Sequence, residues 1–135
     1  MAVFAFIDGK FVLNSVNLSS WVTKVSLHTK GDDLETTAMG ATYRSRAGGL
    51  KDYDWSVEFN QDFASGGPDA TIFPILNTVV AATLKATSSA NSSTNPEYQG
   101  NAFISEYSPL DGGVGDLGKA SVSWPGSGTL TRATS

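Results

Sequence analysis

The chain contains no cysteine, which removes disulfide staples, thiolate metal ligands and thiol nucleophiles together. Histidine occurs once, as His28, so a catalytic triad or an imidazole acid–base scheme would have to run through that one side chain. No G-x-S-x-G elbow accompanies it, and it falls on the polar side of an alternating segment, where a histidine is ordinarily solvated. Charge is sparse as well, at 16% of residues, with nine basic against thirteen acidic side chains and a net charge of -4. That is the wrong sign for a surface that grips phosphates. Long apolar runs are missing, and nothing approaches the ~20 residues of a membrane-spanning helix. The opening "MAVFAFIDGKFVL" is broken by Asp8 and Lys10 and has no basic leader, so it reads poorly as a signal peptide. Metal binding would rest on carboxylates alone, and "GDDLE" lacks the EF-hand spacing. Neither a metal nor a cofactor is expected.

What is present is a globular composition. The 135 residues are 40% hydrophobic with 14 glycines, which suits one turn-rich domain over residues 1–135 that buries about 68% of its unfolded surface. Asp8-Gly9 between two apolar runs predicts a hairpin. "WVTKVSLHTK" sets Trp21, Thr23, Val25 and Leu27 on one face and Lys24, Ser26, His28 and Lys30 largely on the other, as a half-buried strand would. In "KDYDWSVEFNQDF", Tyr53, Trp55, Val57, Phe59 and Phe63 alternate with Asp52, Asp54, Glu58 and Asp62, predicting a strand with one apolar and one acidic face. Between these two, residues 31–50 follow neither helical nor strand period and hold four glycines, which predicts a long inter-strand loop. Asp69 offers a helix N-cap, but Pro74 limits that helix to about one turn. "NTVVAATLKAT" and "EYQGNAFISEY" read as strands joined by a polar tip, "KASVSW" as another, and "TLTRATS" as a last extension. The expected fold is mainly β: an antiparallel sandwich or barrel-like subunit of five to eight strands with one short flanking helix.

Three groups of residues invite a chemical reading. Gly113, Gly115 and Gly118 match G-x-G-x-x-G, and Gly113 to Lys119 match the start of a phosphate-binding loop. Both need a following helix; the next residues alternate as a strand, and Ala120 stands where a magnesium-binding hydroxyl belongs, so a glycine turn is the better account. Asp52, Asp54 and Glu58 share a strand face at roughly 6.6 Å spacing, near that of glycosidase carboxylates. A catalytic acid also needs an apolar pocket to raise its pKa, whereas a carboxylate row on an open face is ordinarily solvated. Inside a ring of subunits, however, such a row would repel phosphates and line a channel to which DNA does not stick. Asp32, Asp33 and Glu35 open the long loop while Arg44, Arg46 and Lys51 close it. Separated signs suit head-to-tail contacts between copies, and local salt bridges are the competing account.

The stretches "DDLETTAMGATYRSRAGGLKDYDWSVEFNQDF", "DATIFPIL" and "EYSPLDGGVGDLGKASVSWPGSGTLTR" resemble the tail tube protein, or major tail protein, of long-tailed bacteriophages. The resemblance extends from about Trp21 to Ala133. It implies a β-sandwich-like subunit that forms hexameric rings, stacked into the tube through which the genome leaves the capsid. It further implies that Asp32 to Gly49 form the loop that touches neighbouring subunits and rings, with Leu34, Thr36, Tyr43, Arg44 and Arg46 as its contacts, and a short helix near Asp69 to Leu76. The implied partners are further copies of the chain, other tail proteins at the tube ends and a tape measure protein inside; DNA passes without specific binding, and no membrane is involved. The implied location is the virion, after synthesis in the host cytoplasm. A non-enzymatic tube subunit is therefore expected. Two other classes remain open: a capsid decoration or cement protein, and a carbohydrate-binding β-sandwich suggested by three tryptophans and four tyrosines.

Overall fold

In the computed structural model, which describes residues 7–135, the chain first reverses at Asn14 and Ser15. Both have positive φ, 51° and 67°, the backbone of a two-residue hairpin turn whose twist matches that of the strands it joins. This turn links β1 (Lys10–Leu13) to β2 (Val16–Asn17). The hairpin expected at Asp8-Gly9 has most of its first strand in residues 1–6, outside the described residues.

Two long strands follow, β3 (Val22–Glu35) and β4 (Arg46–Asn60). Next come a one-turn helix α1 (Pro68–Ile72), a 3-10 turn (Phe73–Ile75), β5 (Val79–Lys85), β6 (Glu97–Phe103), β7 (Lys119–Pro125) and β8 (Thr131–Ala133). They form two antiparallel sheets, one ordered β2-β1-β5-β6-β8 and the other β3-β4-β7. The expected mainly β, sandwich-like architecture with one short helix is what the chain adopts.

The core lies between the sheets because each strand presents its alternate side chains inward. Tyr53, Trp55, Val57 and Phe59 from β4 and Ala120, Val122 and Trp124 from β7 meet Phe11 and Leu13 of β1, Ala82 of β5 and Ala102 of β6. Trp55 and Trp124 are directly opposite each other on β4 and β7 and are 0% and 1% exposed. Small alanines on the facing sheet leave room for the two indoles. Each indole N–H is satisfied: Trp55 Nε1 donates to Asn101 O at 3.2 Å and Trp124 Nε1 to Glu106 O at 2.9 Å. Phe11 packs across the sandwich on Trp55, ring centres 6.2 Å apart.

Three local expectations are corrected. A bulge between Val22 and Lys24 turns Thr23 outward, where its hydroxyl donates to Glu58 O at 3.1 Å, so it does not share the inward face of Val25 and Leu27. Phe63 lies beyond the end of β4 and is 61% exposed. Gly67, not Asp69, caps α1, with Pro68 at its start, a position where proline's missing N–H costs nothing. Asp69 instead sits in the first turn and accepts a hydrogen bond from the Tyr107 hydroxyl at 2.9 Å. Pro74 falls in the 3-10 turn, which accommodates the break it makes.

Candidate functional site

The segment 31–50 is a loop over only half of its length. β3 runs on to Glu35 and β4 starts at Arg46, with Gly31 opposite Lys51, Asp33 opposite Gly48, Leu34 opposite Ala47 and Glu35 opposite Arg46. The result is a two-stranded arm that leaves the sandwich, tipped by residues 36–45. Every residue from 28 to 52 is exposed, which explains the missing period: with neither face against a core, burial selects no alternation, and the ladder is held mainly by its backbone hydrogen bonds. The arm has its own bulge between Gly31 and Asp33. Opposite it, a Cβ on Gly49 would lie 2.9 Å from that of Asp32, closer than two side chains can approach. At the tip, Thr36 N donates to Ser45 O at 2.8 Å and Ser45 N to the Thr37 hydroxyl at 2.8 Å, and Gly40 supplies a positive φ of 87°.

The arm brings together its candidate contacts Asp33, Leu34, Glu35, Thr36, Tyr43, Arg44 and Arg46, with Asp32 at its base. Its opposed charges find partners within the arm. Arg46 Nε lies 3.2 Å from Asp33 Oδ2, and Arg44 Nε 3.6 Å from Glu35 Oε1, all four side chains more than half exposed. Such exposed pairs stabilise by about 0–1 kcal/mol and shape the ribbon without requiring a neighbour. What lacks a partner among the described residues is the arm's apolar surface: Met39 is 104% exposed, Tyr43 88%, Leu50 81% and Leu34 55%. Met39 and Leu50 were not among the expected contacts. Their signal in the sequence was a large apolar side chain inside an otherwise polar excursion.

Asp54 and Glu58 lie on the outer face of the three-stranded sheet, as their alternation predicted, and Asp52 continues that row at the base of the arm. The row is not isolated. Across β3, Lys24 stands opposite Glu58, His28 opposite Asp54 and Lys30 opposite Asp52, while Lys119 of β7 places Nζ 3.6 Å from Glu58 Oε1. Three lysines thus interleave with three carboxylates, and the face sums to zero with His28 neutral. Asp52 borders an open groove that Lys30 and Lys51 also line, not an enclosed apolar pocket of the kind a catalytic acid needs. Among the described residues no cluster of three or more metal-ligating side chains occurs. Residues 111–118 form an exposed turn running directly into β7, so the glycine string has no helix with which to hold a phosphate. Trp55 and Trp124 fill the core and Trp21 is half-buried, its indole N–H donating to Asp62 Oδ2 at 3.0 Å; none is free to stack on a sugar.

The site is therefore an assembly of surfaces rather than a pocket: a projecting arm, a charge-balanced sheet face, and sheet edges. Among the described residues, no further strand joins the sheet beyond β3 or β7, although the β7 edge is engaged in part, Lys119 N donating to Asp111 O at 3.3 Å and Ser123 N to Glu106 Oε1 at 3.1 Å. An uncovered edge such as that of β3 favours association with other chains. No protein-family model and no curated protein sequence matches the chain. Solved structures do share its fold. A chain in the virion of a native gene transfer agent particle aligns with TM-score 0.78 and 12% identity, covering 97% of this chain and 99% of that one. A chain in the tail of an empty particle of the same kind, refined helically with C6 symmetry, gives TM-score 0.66 and 12% identity over 84% and 82%. A third, from the six-fold symmetrised baseplate of an anti-feeding prophage, gives 0.53 and 8% over 98% and 97%. The fold is thus one found in gene transfer agent particles, their tail included, and in the anti-feeding prophage baseplate, and in the first and third of these chains the likeness spans nearly the whole of both partners.

Proposed function

We propose that the protein is a non-enzymatic structural subunit of a phage-like tail tube, closing with other copies into rings that stack into a channel for genome delivery. The observation that carries this reading is the arm. A ribbon with no buried residue contributes little to the stability of its own subunit, yet it displays four large apolar side chains that gain free energy only when another surface covers them. The fold's occurrence in a tail with C6 symmetry supports six copies per ring. The open edge of β3, and the part of the β7 edge that Asp111 and Glu106 leave free, suit lateral contact between subunits.

In such a ring the outer face of that sheet, with Asp52, Asp54 and Glu58, is the surface we assign to the lumen. Its interleaved charges neither bind the phosphate backbone nor lay down a uniform wall of one sign. Further tail proteins would cap the tube ends, a tape measure protein would occupy the channel before DNA does, and assembly would follow synthesis in the host cytoplasm. Negative-stain microscopy of the purified protein tests the reading. Hollow filaments of constant bore are expected; isolated monomers under all assembly conditions, or attachment to capsids alone, would overturn it in favour of a decoration protein.

A further inference from the structure

At the end of β4 opposite the arm, one side chain gathers several loops. The Gln61 backbone N–H donates to Gly118 O at 3.0 Å, and its Nε2 donates to Pro109 O at 2.6 Å and to the Tyr107 hydroxyl at 2.8 Å. Tyr107 in turn donates to Asp69 of α1. Within two residues of these junctions stand three exposed apolar side chains: Phe63 at 61%, Leu110 at 79% and Leu117 at 65%. The same segments carry Asp62, Asp69, Glu106, Asp111 and Asp116, and their one cation, Lys119, is engaged by Glu58. Three exposed apolar side chains and five carboxylates thus stand on the segments that converge at this end of β4.

The arm tip has the complementary character. Residues 36–45 carry Met39 and Tyr43, almost fully exposed, and a single charge, that of Arg44, whose exposed guanidinium lies 3.6 Å from Glu35 at the base of the tip. The two surfaces cannot meet within one chain, because β4 joins them: its 15 residues span about 50 Å at ~3.3 Å per residue. A contact between opposite ends of one molecule is heterologous, and it repeats from copy to copy along an axis.

Resting on the tube reading, we propose that the arm tip of one subunit docks on the Phe63, Leu110 and Leu117 patch of a second copy in the adjacent ring. Burial of Met39 and Tyr43 against the patch supplies the attraction, and Arg44 entering the acidic surround fixes the direction of stacking.

Because the chain has no cysteine, disulfide trapping needs no background removed. Met39→Cys and Leu117→Cys proteins are mixed, assembled and oxidised, with Ser121→Cys replacing Leu117→Cys as the control. Most chains in tubes should join as Met39–Leu117 dimers, with at least a tenfold excess over the control pair and none before assembly. A Phe63→Asp, Leu117→Asp double variant should keep the unfolding midpoint of the parent and form rings that do not stack. Normal tubes from that variant, or trapping no greater than with the control, would overturn the docking while leaving the tube intact. Failure of the parent protein to assemble at all would overturn both.

Discussion

Tyr53 shows how much of this fold rests on single contacts. Its ring lies in the core at 5% exposure, while its hydroxyl donates to Ser127 O at 3.1 Å and accepts the Asn101 N–H at 3.0 Å, so that one side chain ties β4 to β6 and to the turn after β7. Gly126 makes this possible, since a Cβ there would overlap the Tyr53 ring. Gly126→Ala should therefore destabilise the subunit by about 1–3 kcal/mol, the usual cost of overpacking, read as a lower urea midpoint; an unchanged midpoint would mean the ring has space to move. Tyr107 gives a pH dependence. Burial first, and then the hydrogen bond and negative charge of Asp69, push its pKa from 10.0 up to about 12, against an opposing pull from Gln61. The folded state thus holds the phenolic proton more tightly than the unfolded chain does. Its contribution is fully present below pH 10 and is lost as pH rises towards 12. Comparing urea midpoints from pH 9 to 12, Tyr107→Phe should show a shallower alkaline loss than the parent. None of these ties was visible in the sequence, because a tyrosine at an inward strand position does not reveal which loop carbonyl its hydroxyl reaches.

At the scale of elements, the strands with a buried face were legible and the arm was not. β4 from Tyr53 to Phe59 and β7 from Ala120 to Trp124 alternate because one side is excluded from water at every second residue. Beyond Gly31 the same two strands continue with both faces in water, and the alternation stops although the hydrogen-bond ladder does not. The β1–β2 turn was missed for a different reason: Asn14-Ser15 is a weaker turn signal than the Asp8-Gly9 pair beside it. The arm's independence of the core leads to a prediction. Replacing residues 34–47 with a two-residue Asn-Gly turn keeps Asp33 paired with Gly48 and removes no buried side chain. Thermal unfolding should move by less than about 1 kcal/mol in stability, as for other surface changes, while stacking into tubes is abolished. Normal tubes from the shortened protein would remove the arm from the assembly scheme.

For the whole molecule, the sheet face decides how DNA and protein would share a channel. Lys24, Lys30 and Lys119 balance Asp52, Asp54 and Glu58, so replacing Asp54 and Glu58 with lysine moves the formal sum from zero by two units each, to +4. If this face lines the lumen, assembled tubes of that variant should retain DNA at low salt and release it steeply as salt rises. Retention equal to the parent's, measured as nucleic acid co-sedimenting with tubes, would place the face elsewhere. The carboxylates were legible from β4 alone; the lysines that offset them were not, because β3 and β7 lie far from those positions in sequence and only strand register sets Lys24 and Lys119 beside Glu58. By itself the sequence determined the class of fold, since water exclusion writes a period of two into every strand with a dry side, and it ruled out thiol chemistry by composition. Only the tertiary structure decided that the excursion after Lys30 is a ribbon, that its charges pair internally, and that an apolar patch stands at the far end of the same strand. Those features depend on backbone pairing and on contacts between distant segments, neither of which leaves a local pattern in the chain.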